Sequence, residues 1–192
     1  MPRMSESEKR KSHIRILDAA ARLMREKGVA STSVSDVMQE AGLTHGGFYR
    51  HFTSKEDLVA AAFRQAVDEV VSNLEAASTD AEKAKARAAY IAQYLSLEHV
   101  ESRGRGCPLA AMGPDIAHHE GPARDEAFAA ITRMTNLLQP GEDQTEGQGF
   151  AIMALLLGTV TLARLAKTQE EATELLGEGL VGAGLLQHHW PH

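Results

Sequence analysis

The chain has 192 residues, 43% of them hydrophobic and 24% charged, with a formal net charge of −6 at pH 7. That length and apolar fraction are enough for one large buried core or two small ones, and they exclude a disordered tail or a low-complexity spacer. A single cysteine excludes an intramolecular disulfide framework and a multi-cysteine zinc site. Met1-Pro2-Arg3 leads into a charged stretch with no apolar core, so no secretory signal is expected. The longest uncharged run, Gly147 to Ala163, is interrupted by Gly158, Thr159 and Thr161 and falls short of a membrane span. The expectation is a globular protein of the cytoplasm, without a membrane partner.

The charge is uneven. Residues 1–64 carry eleven Lys/Arg against eight Asp/Glu, and the remainder nine against eighteen. A basic first third on an acidic body suits contact with nucleic acid, although a merely solvated surface produces the same asymmetry.

Helical periodicity runs through the whole chain, and clusters of β-branched and aromatic residues are scarce, so the fold class is all-α. Ile14, Leu17, Ala21 and Met24 form a first stripe that ends at Gly28. Ser33 caps a short helix bearing Val34, Val37 and Met38, which stops at Gly42. A third short helix opens after Thr44. Ser54-Lys55-Glu56-Asp57 reads as a capping box, and Leu58, Ala62, Ala66 and Val70 run down the helix behind it to about Ala77.

Longer amphipathic segments follow. Ala84, Ala88, Ile91 and Leu95 mark one, and Gly104-Arg105-Gly106 a loop. Pro108 suits a helix start, whereas Gly113-Pro114 should break or kink that helix. Gly121-Pro122 opens another, with Phe128, Ile131, Met134 and Leu138 inward, which ends at Pro140-Gly141. Phe150 to Leu165 is apolar nearly all round and belongs at the centre or between partners. Gly177, Gly179, Gly182 and Gly184 in the last segment point to fraying or a close helix crossing.

Residues 33–52 carry the functional signal. Two short helices about Ala41-Gly42-Leu43-Thr44 have the proportions of a helix-turn-helix. The second would present Thr44, His45, Gly46, Tyr49 and Arg50 outward, with Phe48 and Phe52 in the core. Side chains from its first turn are those that reach base edges, while Tyr49, His51 and Lys55 supply donors for phosphate oxygens. Ser33, at the start of the preceding helix, completes the candidate DNA-binding set. Lys9-Arg10-Lys11 reads either as an arm along phosphates or the minor groove, or as a solvated helix end.

Ile16-Leu17-Asp18-Ala19-Ala20, Glu40-Ala41-Gly42-Leu43-Thr44, Phe48-Tyr49-Arg50-His51-Phe52 and Ser54-Lys55-Glu56-Asp57-Leu58 resemble the TetR family of transcriptional regulators. The resemblance covers roughly residues 10–70. It implies a three-helix DNA-binding head over 10–70, with its helix-turn-helix at 33–52, joined by a fourth helix to a ligand-binding and dimerisation body over 78–186. It further implies a homodimer paired through the last two helices, which binds a near-palindromic double-stranded operator as a repressor and is released by a small-molecule inducer. Gly46-Gly47 departs from the family pattern, where one glycine or alanine precedes a larger residue. The second glycine loosens the recognition helix and removes one base contact.

The second half carries fainter chemistry. Tyr90, Tyr94, Cys107, Met112, Phe128, Met134 and Met153 are candidates for lining a ligand cavity, since aromatic and thioether surfaces adapt to many molecules. Each also suits an ordinary core. Cys107, beside a helix N-terminus and near Arg103 and Arg105, has a setting that favours the thiolate, and inert packing is the competing reading. His118-His119-Glu120 lacks a partner at i+4 for a metal, and His188, His189 and His192 belong to a tail. No catalytic constellation and no cofactor motif is found, so an enzyme is not expected. The competing function is a helical small-molecule-binding or scaffolding protein without DNA activity.

Overall fold

Among the described residues, four helices open on the same device. Ser5, Ser33, Thr79 and Thr168 each accept the N–H three residues on, while Glu8, Asp36, Glu82 and Glu171 reach back to the cap backbone. A computed structural model describes residues 5–141 and 147–190. Among them lie α1 (Glu6–Lys27), α2 (Val34–Glu40), a 3-10 helix (His45–Arg50), α3 (Lys55–Glu75), α4 (Asp80–Tyr94), α5 (Leu97–Glu101), a 3-10 turn (Arg103–Arg105), α6 (Pro108–Ala117), α7 (Pro122–Leu138), α8 (Gln148–Ala163) and α9 (Gln169–His188). No strand occurs among the described residues, and no helix among them is long and apolar enough to cross a membrane. Met1-Pro2-Arg3 and His192 lie outside them.

The chain gathers into two compact units. Among the described residues, one combines those up to Val67 with Cys107–Phe128, and the other combines Asp68–Gly106 with those from Ala129 onward. Residues 107–128 thus group with the N-terminal helices.

In the first unit, Ile16, Ala20 and Leu23 of α1 are buried with Val37 and Met38 of α2, Phe48, Phe52, and Leu58, Ala62 and Phe63 of α3. Each large apolar side chain so buried contributes about 1.5–3 kcal/mol. The expected α1 stripe is rotated: Ile14 is 48% exposed and Ile16 takes the inward place, while Ala21 and Met24 remain buried. The turn after α2 is a Schellman motif, with Leu43 N–H on Met38 O at 2.9 Å and Gly42 N–H on Gln39 O at 3.0 Å. Its left-handed position falls on Gly42, at φ 67. α6 starts with Pro108 in its first turn and continues through Pro114, contrary to the expected break. One missing backbone bond is outweighed there by burial of Leu109, Met112 and Ile116 along one face.

In the second unit, α8 and α9 lie against each other. A Cβ at Gly179 would stand 2.5 Å from Thr159 Cγ2, so the glycine is what allows the crossing. Gly149 is tighter still, with a hypothetical Cβ 2.1 Å from the Thr135 carbonyl oxygen on α7. On α4 the expected inward Ala84 and Ala88 are exposed. The buried face carries Arg87, Ile91 and Tyr94, and Arg87 Nη2 donates to the Pro140 carbonyl at 2.9 Å. On α7 the buried row is Ala127, Ala130, Met134 and Leu138, although the helix spans both units.

Candidate nucleic-acid interface

The short helix expected after Thr44 is a 3-10 helix, His45–Arg50. Two adjacent glycines explain it, since each costs an α-helix interior about 1 kcal/mol relative to alanine. Thr44 caps it through Gly47 N–H on Thr44 O at 2.9 Å, and His51 N–H closes its end on Phe48 O at 2.8 Å. Phe48 is the anchor: it is buried, its ring stacks on Phe52 at 5.7 Å, and Tyr49 meets its edge at 5.2 Å. Gly47 faces Met38, whereas nothing stands within 4 Å of a Cβ at Gly46.

Thr44, His45, Gly46, Tyr49 and Arg50 are all exposed on this one short element, with Tyr49 71% open to solvent. Together they offer hydroxyl, imidazole, phenol and guanidinium donors from a turn of backbone without a bulky side chain at Gly46. That set suits both base edges and phosphates. Ser33 is also exposed, but its hydroxyl is engaged in the α2 capping box, donating to Asp36 at 2.7 Å. Lys9, Arg10 and Lys11 are exposed within the first turns of α1, so this basic run is helical.

Two residues differ from expectation. Lys55 is half-buried, and its Nζ donates to the Val29 carbonyl at 3.0 Å rather than extending free into solvent. His51 is half-buried too, 5.6 Å from the His13 ring, and burial followed by the nearby His13, Lys9 and Arg50 pushes its pKa down. His13 itself stacks on Phe52 at 4.8 Å, a role that no spacing rule announces. At α3, Asp57 N–H bonds to Ser54 Oγ, but the Asp57 carboxylate turns to Thr53 N–H at 3.0 Å, so the expected capping box is only half made.

Asp115 on α6 escaped the sequence reading altogether. Its Oδ2 accepts from Val29 N–H at 2.6 Å and Ala30 N–H at 3.3 Å, just beyond α1. The partners are 86 residues apart in sequence, so no local pattern could reveal them.

The candidate ligand residues divide between the units. Cys107 and Met112 are buried in the first, where Cys107 is the N-cap of α6. Phe128, expected inward, is 70% exposed because the inward row of α7 runs through its neighbour Ala127. In the second unit Met134 and Met153 are buried, and Tyr90 and Tyr94 lie 5.7 Å apart. His99 joins them, 4.4 Å from the Tyr94 ring, with its Nδ1 at 2.6 Å from the Tyr94 carbonyl. An open depression of about 700 Å³ on this unit is lined instead by residues of α8, of the link after it and of α9, among them Leu162, Leu165, Glu171 and Glu174. His118 and His119 are exposed after α6, as are His188 and His189 at the end of α9.

The family model for bacterial regulatory proteins of the tetR family matches residues 16–62. The HTH-type transcriptional regulator AcrR of Shigella flexneri is 41% identical over 58 residues, which is 30% of this chain and 27% of that protein. The fatty acid metabolism regulator protein of Bacillus subtilis is 29% identical over 91 residues, 47% of either chain. Less than half the length of these curated relatives is therefore matched. Among solved structures, a TetR transcriptional regulator from Chloroflexus aurantiacus is similar with a TM-score of 0.75 and 25% identity, covering 95% of this chain and 97% of that one. Reduced NemR of E. coli has a TM-score of 0.71 at 18% identity, covering 91% and 96%, which is a likeness of fold.

Proposed function

We propose that the chain is a transcriptional regulator of the TetR type that binds double-stranded DNA through the 3-10 helix His45–Arg50, a reading supported by the family-model match over residues 16–62 and by the likeness to AcrR. The observation that carries this reading is the exposed row Thr44, His45, Gly46, Tyr49 and Arg50, anchored by the buried Phe48 on a helix-turn-helix. The reading places residues 10–70 at the DNA and residues 78–186 in ligand binding and dimerisation. It acts where the chromosome is, in the cytoplasm.

The finer mechanism is a two-state equilibrium of a homodimer. Two heads about one helical repeat apart (~34 Å) enter successive major grooves of a near-palindromic operator and repress transcription. A small-molecule inducer favours a state with another head spacing, and affinity for DNA falls by the ratio of its affinities for the two states. Supporting the dimer, α8 and α9 carry Phe150, Leu162, Val181 and Leu185, and the link between them Leu165, all exposed in one chain. Gly158, Gly177 and Gly184 have open space around them, which lets a second pair of helices come close. Supporting the ligand site, Tyr90, Tyr94 and His99 form an aromatic cluster with polar edges in the second unit.

The test is titration of the purified protein against labelled duplex DNA flanking its own gene. Saturable binding that withstands excess unrelated duplex is expected. Binding abolished equally by any competitor would favour the scaffolding alternative.

A further inference from the structure

Val29 is gripped at both ends of its backbone. Its N–H donates to Asp115 Oδ2 at 2.6 Å, and its carbonyl accepts from Lys55 Nζ at 3.0 Å. The Ala30 N–H shares the same carboxylate oxygen at 3.3 Å. These bonds lie in the link between α1 and α2. Gly28 begins it, at φ 87, and Thr32 Oγ1 donates back to the Gly28 carbonyl at 2.8 Å. Ser33 then caps α2. A Cβ at Gly28 would stand 3.0 Å from Asp115 Oδ2, so glycine is needed there both for the backbone angle and for the approach of the carboxylate.

The arrangement joins three elements of one compact unit through a single residue: α6 by its carboxylate, the α1–α2 link by its peptide groups, and the first residue of α3 by its ammonium. Hydrogen bonds to an ionised group are the stronger kind, and here both outer groups are ionised side chains. Ala30 N–H and the Val29 carbonyl belong to one peptide group, so the 3.3 Å bond to Asp115 polarises the peptide whose oxygen holds the ammonium and strengthens both bonds. An ammonium has three donors, and the bond to Val29 uses one.

We propose that Asp115 is a positioning residue for DNA binding, which acts through Val29 to hold Lys55 in place for a phosphate of the DNA backbone and to fix the entry of the helix-turn-helix. The proposal rests on the DNA-binding reading above. Asp115 does not itself meet DNA, since an anion gains nothing from a phosphate. Its effect passes through Lys55 and through the angle at which α2 starts.

The experiment compares wild type, Asp115→Ala, Asp115→Asn, Lys55→Ala and Asp115→Ala/Lys55→Ala on one duplex across a salt series, with a thermal melt of each. Asp115→Asn keeps the size and one acceptor oxygen, and it serves where the alanine variant folds poorly. Asp115→Ala is expected to weaken binding by about tenfold to a hundredfold, the range for loss of charge-assisted hydrogen bonds, with Asp115→Asn in between. One phosphate contact accounts for about 0.9 in the slope of log affinity against log salt, so Asp115→Ala should lower that slope by about one, as Lys55→Ala does. In the double variant the two losses should overlap rather than add. A lower melting temperature with an unchanged salt slope, or fully additive losses, would leave Asp115 a structural cap and overturn the proposal. So would unchanged binding by both Asp115 variants while wild type binds. Failure of wild type to bind any duplex would instead overturn the DNA-binding reading itself.

Discussion

A phenol with 71% of its surface in solvent, fixed at its inner edge by Phe48, is available as a donor without rearrangement. Tyr49→Phe keeps the ring and removes the hydroxyl, so binding should weaken by about fivefold to tenfold on all sequences alike, as for one net hydrogen bond. His45→Ala should instead change the preferred base at one position, and titration against a panel of single-base variants separates the two outcomes. A uniform loss for His45→Ala would remove it from base reading. The histidines away from this face set the response to acid. Burial pushes His99 below its ordinary pKa, against a partial rise from its bond to the Tyr94 carbonyl, and burial lowers His51 as well. The native state then binds fewer protons than the unfolded chain once pH falls below the ordinary histidine value of about 6.5. Stability should be complete above that pH and decline as pH drops through the lowered native values. Melting temperatures at pH 7.5 and 5.5 should show the decline, and His99→Gln should reduce it. An identical decline in that variant would place the titration elsewhere.

Helices reveal their ends in sequence more readily than their faces. Ser33, Gly42 and Pro108 act locally, through bonds and backbone angles within four residues, and they mark the observed boundaries. Faces depend on partners far along the chain. Alanines at 84 and 88 fit an inward stripe, yet Arg87 takes the buried side because the Pro140 carbonyl, 53 residues away, receives its guanidinium. For the same reason Phe128 appeared inward until Ala127 filled that row, and Lys55 appeared free until Val29 was placed beside it. The exposed row at residues 44–50 was legible because the helix-turn-helix pattern is compressed into twenty residues, whereas the grip on Val29 was not. Close contacts make their own prediction. Gly149→Ala puts a methyl group into the Thr135 carbonyl and should cost about 1–3 kcal/mol, read as a lower denaturation midpoint. An unchanged midpoint would mean that α7 and α8 separate easily at that point. The pairs of Arg133 with Asp68 and Glu75 are exposed enough that Arg133→Met should cost no more than about 1 kcal/mol, and less in high salt.

For the molecule as a whole, the account requires that two chains act together. Leu162 on α8, Leu165 just after it, and Val181 and Leu185 on α9 give each chain apolar surface that water does not favour. Sedimentation should find a dimer at micromolar concentration, and Leu162→Arg should shift it toward monomer with loss of operator binding. A dimer that survives this change would move the interface to another face. Near-palindromy of the operator then follows from the two-fold symmetry of such a dimer, and it is the property that unites the exposed row at residues 44–50 with the α8–α9 face. Selection of bound duplexes from a random DNA pool by the wild-type protein tests that union most directly. The account predicts enrichment of one motif made of two inverted half-sites whose centres lie about one helical turn apart. A pool that remains random after repeated selection, at salt low enough for binding, would contradict it.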